Sequence, residues 1–143
     1  MAITDASRNR SSTEDAGKLV LRLTLGLLIL LHGVAKITGG IDFVTAGLAK
    51  AGVPEGVGYL VYIGEVVAPL FVILGAWTRP AALVIAINMV VAVLMAHTSQ
   101  LFSLAKTGGY ALELQAMYLF TAISIALLGA GRYSLAGARG RWN

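Results

Sequence analysis

The chain has 143 residues, of which 57% are hydrophobic and only 13% are charged, whereas about a quarter of the residues in soluble domains are charged. With a mean hydropathy of +0.80, this composition predicts an integral membrane protein in contact with the lipid bilayer. The absence of cysteine excludes disulfides, iron–sulfur ligation and thiol catalysis by this sequence, so redox chemistry would need a cofactor or a partner. Basic residues lie at the ends of apolar segments and in the tails, which argues against nucleic acid as a partner.

The sequence divides into a membrane domain and two polar tails. Residues 1–17 are polar and aperiodic, which predicts a mobile cytoplasmic tail. Residues 18–135 form the predicted domain, and residues 136–143 a basic cytoplasmic tail. Four apolar segments of the domain are predicted membrane spans, at residues 18–37, 57–77, 80–96 and 110–130.

A short helix is predicted between the first and second spans. Ile41, Val44 and Leu48 recur near one helical face, while Asp42 and Lys50 lie elsewhere. This pattern is typical of a helix that lies in the membrane interface. The predicted fold class is therefore all-α, an integral membrane four-helix bundle with a short interfacial helix between spans one and two.

The distribution of basic residues predicts the orientation in the membrane. Four spans bring both tails and the short turn at Arg79 to the same side. That side carries eight Lys and Arg residues and the other side carries three, Lys36, Lys50 and Lys106. The positive-inside rule then places both termini in the cytoplasm.

Ionisable residues from all four spans are expected in the outer half of the bundle. At 1.5 Å per residue, His32 and Lys36 lie near the outer end of the first span, Glu65 about 10 Å inside the second, His97 at the outer end of the third, and Glu113 one turn into the fourth. A carboxylate as deep as Glu65 is costly in lipid and indicates a functional or ion-paired group. Lys36 is a membrane anchor or a counter-ion for Glu65 or Glu113.

Three further polar residues were assigned from helical position. Asn88 and Gln115 are out of phase with His97 and Glu113 on their own helices, so we expect them to point away from the cluster. They are candidates for hydrogen bonds between neighbouring helices or between copies in a homo-oligomer. Arg22 lies near the cytoplasmic end of its span and is either a snorkelling anchor or a substrate contact.

Short motifs run through nearly the whole chain in a fixed order. They include Arg22 and Gly26 before His32-Gly33-x-x-Lys36, then Glu65-x-x-x-Pro69, Thr78-Arg79-Pro80, His97, Gly108-Gly109 with Glu113, and Gly129-x-Gly131-Arg132. This order resembles the DoxX family of small bacterial membrane proteins, which is similar to the small membrane subunit of thiosulfate:quinone oxidoreductase. The resemblance implies four transmembrane helices, the bacterial cytoplasmic (inner) membrane, and a quinone-linked redox role beside a soluble or membrane partner. Ala136 departs from the family pattern, in which an aspartate is common.

The first functional hypothesis is a quinone site in the membrane subunit of an oxidoreductase. The candidate catalytic residues are Glu65, His32 and Glu113, and the candidate substrate-binding residues are Lys36, His97 and Arg22. A histidine beside buried carboxylates can donate to a quinone carbonyl and deliver protons at neutral pH. A nearby cation stabilises the negative charge that develops on the carbonyl oxygen during reduction.

Two other classes of function fit the same residues. His32, Glu65, His97 and Glu113 could hold a transition metal, or the two histidines could ligate a single b-type haem. Alternatively, the chain is a non-catalytic scaffold or a small permease whose buried charges pair with one another, since a buried ion pair is weak evidence for catalysis.

Overall fold

The computed structural model describes residues 2–137, 140 and 142–143, with side chains from residue 12 onward. This part of the chain is helical, and its β-structure is limited to one isolated bridge between Leu104 and Tyr110. The five α-helices are α1 (Ala2–Gly39), α2 (Asp42–Lys50), α3 (Ala68–Leu74), α4 (Thr78–Ala96) and α5 (Glu113–Leu128). A 3-10 helix at Glu55–Leu60 and a π-helical turn at Ile63–Val67 lead into α3, and a second 3-10 turn at Thr98–Gln100 follows α4.

Three helical segments are long and apolar enough to cross a bilayer, namely Ser12–Gly39, Glu55–Leu74 and Thr78–Ala96. The sixteen residues of α5 extend about 24 Å, less than the roughly 30 Å of a hydrocarbon core. The predicted helical class is confirmed, whereas the fourth span at residues 110–130 stays a prediction. The helix begins three residues later than predicted because the loop before it folds back through the bridge between Leu104 and Tyr110.

Both predicted tails contain regular or packed structure. Helix α1 begins at Ala2, so most of residues 1–17 continue the first span as helix. Asp15 is 6% exposed and its Oδ1 accepts a hydrogen bond from the backbone N–H of Arg132 at 3.2 Å. In the predicted tail 136–143, residues 138, 139 and 141 lie outside the described residues. Asn143 is buried, and its Oδ1 accepts a hydrogen bond from the Thr78 hydroxyl at 2.8 Å.

The turn between α3 and α4 is three residues long and makes the two helices antiparallel. Gly75 ends α3 with φ +70, a left-handed conformation that glycine adopts without a Cβ penalty. Helix α4 starts at Thr78, which leaves Pro80 in its first turn, where a backbone N–H has no helical partner to lose. The boundary between the second and third spans therefore lies a few residues earlier than the sequence predicts.

Small residues pack the helices closely. Ala82 and Ala86, four residues apart on α4, are buried, as is Ala122 on α5, and the two helices pack against each other. Helix α1 packs against α3 and α5. The buried core comes from α1, α3, α4 and α5 and includes Leu25, Ile29, Val72, Ile85 and Ile125.

Candidate functional site

Glu65 lies in a π-helical turn whose origin is local. Pro69 has no backbone N–H and cannot donate to the carbonyl four residues earlier, which is that of Glu65. One residue earlier, the N–H of Ala68 bonds to the carbonyl of Ile63, five residues back, and not to that of Gly64, four residues back. Such turns occur frequently at functional sites. The Glu65-x-x-x-Pro69 motif thus gives a widened turn, in which Glu65 is only 5% exposed.

Gly33 brings α1 into direct contact with this turn. A Cβ at Gly33 would lie 2.3 Å from the backbone oxygen of Glu65 and 2.7 Å from Cγ2 of Val66. Both separations are shorter than van der Waals contact, so the approach of the two backbones requires glycine.

We expect Gly33→Ala to lower the free energy of unfolding by about 1–3 kcal/mol, because the added methyl group overpacks a contact that is mainly backbone. Unfolding of the purified protein in detergent measures the effect. Gly39→Ala is the matched control, because a Cβ at Gly39 on the same helix meets nothing within 4 Å. Equal stability of the two variants would contradict the proposed close contact.

The Glu65 carboxylate is held by donors from two other helices. Lys36 on α1 forms an ion pair and hydrogen bond with its Oε2, and Nδ2 of Asn88 on α4 donates to its Oε1 at 3.3 Å. Of the alternatives left open for Lys36, an anchor or a counter-ion for Glu65 or Glu113, the structure shows the ion pair with Glu65. The hydroxyl of Tyr62 donates to the carbonyl of Lys36 at 3.2 Å, which fixes the end of α1 that carries the lysine.

The contact of Asn88 with Glu65 corrects the expectation that this amide points away from the cluster. The expectation came from its phase relative to His97, yet α4 ends at Ala96 and His97 has φ −133. Because His97 is outside the helix, the rotation of 100° per residue does not apply to it. Asn88 lies on the face that meets Glu65.

A cavity of about 970 Å³ adjoins the carboxylate, a volume near the upper end of typical ligand sites. Most of its walls are apolar side chains from the long helices and from α2. Four of the predicted site residues line it, namely His32, Lys36, Glu65 and His97. Asn88, Gln115 and Tyr118 also line it, and the ring of Tyr118 meets that of His32 edge-on at 6.1 Å between centroids.

His97 lines the cavity at a different level from Glu65. The eight residues from Asn88 to Ala96, the end of α4, already advance about 12 Å along the helix axis, although the sequence suggested similar depths. Nδ1 of His97 is buried and has no hydrogen-bond partner among the described residues. This atom is available to a ligand or to a water molecule.

Glu113 and Arg22 do not line the cavity. Glu113 is exposed in the first turn of α5, and a Cβ at Gly109 would lie 2.8 Å from its Oε2, so the carboxylate turns toward the loop. Arg22 is ten residues before His32 on α1, about 15 Å away, and is 1% exposed. Its guanidinium donates to the backbone carbonyls of Val72, Ile73, Ala130 and Tyr133 at 2.5–3.0 Å.

The alternative metal site is not formed by the described residues. Among them, no group of three or more His, Asp or Glu side chains lies close enough to hold a metal ion. The set His32, Glu65, His97 and Glu113 is therefore not brought together as ligands, since Glu113 faces away and His97 lies at another level.

Apolar helices around a cavity with a partly buried ion pair in its wall define a small helical membrane protein with a ligand-sized cavity. A family model described as DoxX matches residues 17–98, which is more than half of the chain and includes His32, Lys36, Glu65, Asn88 and His97. The chain belongs to the DoxX family. No curated protein and no solved structure gives a significant match to it.

Proposed function

We propose that the cavity binds a quinone headgroup and that the chain is the membrane subunit of a redox system. The observation that carries the proposal is the buried pair of Lys36 and Glu65 in the wall of a mostly apolar cavity that His32 also lines. Ligand sites of this kind combine an apolar enclosure with a few convergent polar groups. The resemblance to the small membrane subunit of thiosulfate:quinone oxidoreductase points in the same direction.

Three of the polar residues that line the cavity, Lys36, Glu65 and His32, have a role in this chemistry. Reduction of a quinone to a quinol takes two electrons, which come from a redox partner, and two protons. Lys36 donates a hydrogen bond to a carbonyl oxygen of the quinone and stabilises the negative charge that develops on it. Glu65 accepts a hydrogen bond from the quinol hydroxyl and relays a proton, and His32 exchanges the other with solvent near the membrane boundary. Arg22 and Glu113 have no part, because neither lines the cavity.

The proposal predicts that Glu65→Gln weakens the binding of decylubiquinol, a short-chain quinol, about tenfold. The variant replaces a hydrogen bond to a charged group by one to a neutral amide, and the charged interaction contributes roughly 1.5–3 kcal/mol. Calorimetric titration of the protein in lipid nanodiscs measures the dissociation constant. Glu113→Gln is the matched control, since it makes the same chemical change in a carboxylate outside the cavity, and its affinity should equal that of the unmodified protein.

Three outcomes would overturn the proposal. Absence of binding to the unmodified protein would favour the scaffold or permease. An equal loss in both glutamate variants would assign binding to a surface charge effect. A Soret band from the purified protein would favour a b-type haem, for which His32 and His97 are the available axial ligands.

A further inference from the structure

The side chain of Asn88 is packed against the glycine that precedes Glu65. A Cβ at Gly64 would lie 2.6 Å from Cγ of Asn88 and 2.7 Å from both its Cβ and its Oδ1. Gly64 is buried, so the amide occupies space that any other residue at position 64 would fill. This contact limits the rotamers open to Asn88 and aims its Nδ2 at Glu65 Oε1, 3.3 Å away.

The two donors to Glu65 differ in freedom. Lys36 reaches Oε2 through a flexible four-carbon stem, and its side chain is 26% exposed. Asn88 has a short side chain, is partly buried, and is confined by Gly64. An ammonium group with three donors can turn toward another acceptor in the cavity, whereas the confined amide cannot.

We propose that Asn88 is a positioning residue that keeps the Glu65 carboxylate in place when Lys36 turns to a ligand. The proposal rests on the proposed function, since it requires an occupant whose oxygen competes with Glu65 for Lys36. Without Asn88, a buried carboxylate that lost Lys36 would depend on the hydroxyl of the ligand alone, which is costly for a buried charge. This free-energy cost would weaken ligand binding. Asn88 therefore lowers the free-energy cost when Lys36 leaves Glu65 for the ligand. This exchange requires an occupant with a hydrogen-bond-accepting oxygen.

Infrared difference spectra of the unliganded protein test the contact. Subtracting the spectrum of Glu65→Gln from that of the unmodified protein isolates the Glu65 carboxylate bands. We expect Asn88→Leu to shift these bands, and Gly64→Ala to shift them in the same direction, because each removes the amide from Oε1. Asn88→Asp keeps the shape but puts a second carboxylate beside Glu65, and should produce a band from a protonated carboxyl group.

Gly26→Ala is the matched control for crowding. A Cβ at Gly26 would lie 2.5 Å from Cγ1 of Ile73, so this variant also overpacks a helix contact, but it does not touch Glu65. Its carboxylate bands should coincide with those of the unmodified protein. Unchanged bands in both Asn88→Leu and Gly64→Ala, or an equal shift in Gly26→Ala, would overturn the positioning role.

Decylubiquinol affinity then separates this proposal from the proposed function. We expect Asn88→Leu to bind about tenfold more weakly, as for other lost hydrogen bonds to charged groups. Shifted bands with unchanged affinity would overturn the role of Asn88 in ligand exchange and leave the quinone site standing. Absence of binding by the unmodified protein would instead overturn the proposed function, whatever the spectra.

Discussion

Replacing Lys36 by methionine is expected to lower the free energy of unfolding by about 3 kcal/mol. Glu65 is 5% exposed and would keep only the 3.3 Å hydrogen bond from Asn88. Removing one partner of a buried ion pair leaves an uncompensated charge and typically costs roughly 3–5 kcal/mol. The lower end applies because the side chain of Lys36 is 26% exposed, so water partly screens the pair.

A double variant and a matched lysine separate charge pairing from side-chain packing. Lys36→Met combined with Glu65→Gln removes both charges and should recover most of the lost stability, which a double-mutant cycle quantifies. Lys50→Met changes an exposed lysine of the same cavity and should stay within about 0.5 kcal/mol. If the double variant were no more stable than Lys36→Met, loss of packing rather than an unpaired carboxylate would explain the result.

Composition predicted the helical class, but not all the helix boundaries. A bilayer requires long apolar helices, because no water is available to satisfy the backbone, and this constraint makes the spans visible in the sequence. It does not apply to residues 2–17, which form the polar first part of α1. The start of α4 was predicted at Pro80, because proline is common in the first turn of a helix. The left-handed conformation of Gly75 ends α3 earlier than predicted, and α4 begins at Thr78.

The sequence left Lys36 open as an anchor or as a counter-ion for Glu65 or Glu113, but that Glu65 has a partner was predictable because a carboxylate deep in lipid requires one. The position of Asn88 was not, since its helical phase was referred to His97, which lies beyond the end of α4. On α5, Gln115 and Glu113 do point in different directions, but the expectation that Gln115 points away from the site was wrong, because Gln115 lines the cavity and Glu113 does not. Phase gives relative directions on one helix, and only packing decides which direction faces the site. The glycine at position 64, next to Glu65, was a sequence signal that another side chain packs closely there, and in the structure that side chain is Asn88.

Arg22→Leu is expected to have the largest effect on stability, a loss of about 4 kcal/mol or failure to accumulate in membranes. The guanidinium is the shared donor for carbonyls at the end of α3, Val72 and Ile73, and in the segment after α5. It thereby ties α1 to both elements. Each buried carbonyl left without a donor costs roughly 1–3 kcal/mol, and relaxation would recover part of the total.

Two further variants, each at an arginine, decide whether the hydrogen-bond geometry of Arg22 or its charge is responsible for the stability that it contributes. Arg22→Lys keeps the charge, but the ammonium presents its donors from a single nitrogen and lacks the planar fork that reaches the four carbonyls. We therefore expect it to lose more than half of the stability lost in Arg22→Leu. Arg132→Leu is the matched control, because the side chain of Arg132 is 65% exposed and only approaches Oδ2 of Asp15 at 3.9 Å. Asp15 keeps its contacts with Lys18 and with the backbone N–H of residue 132, so the variant should change stability by less than about 1 kcal/mol. Full stability of Arg22→Lys in detergent unfolding would mean that a buried positive charge suffices there and that the carbonyl contacts contribute little.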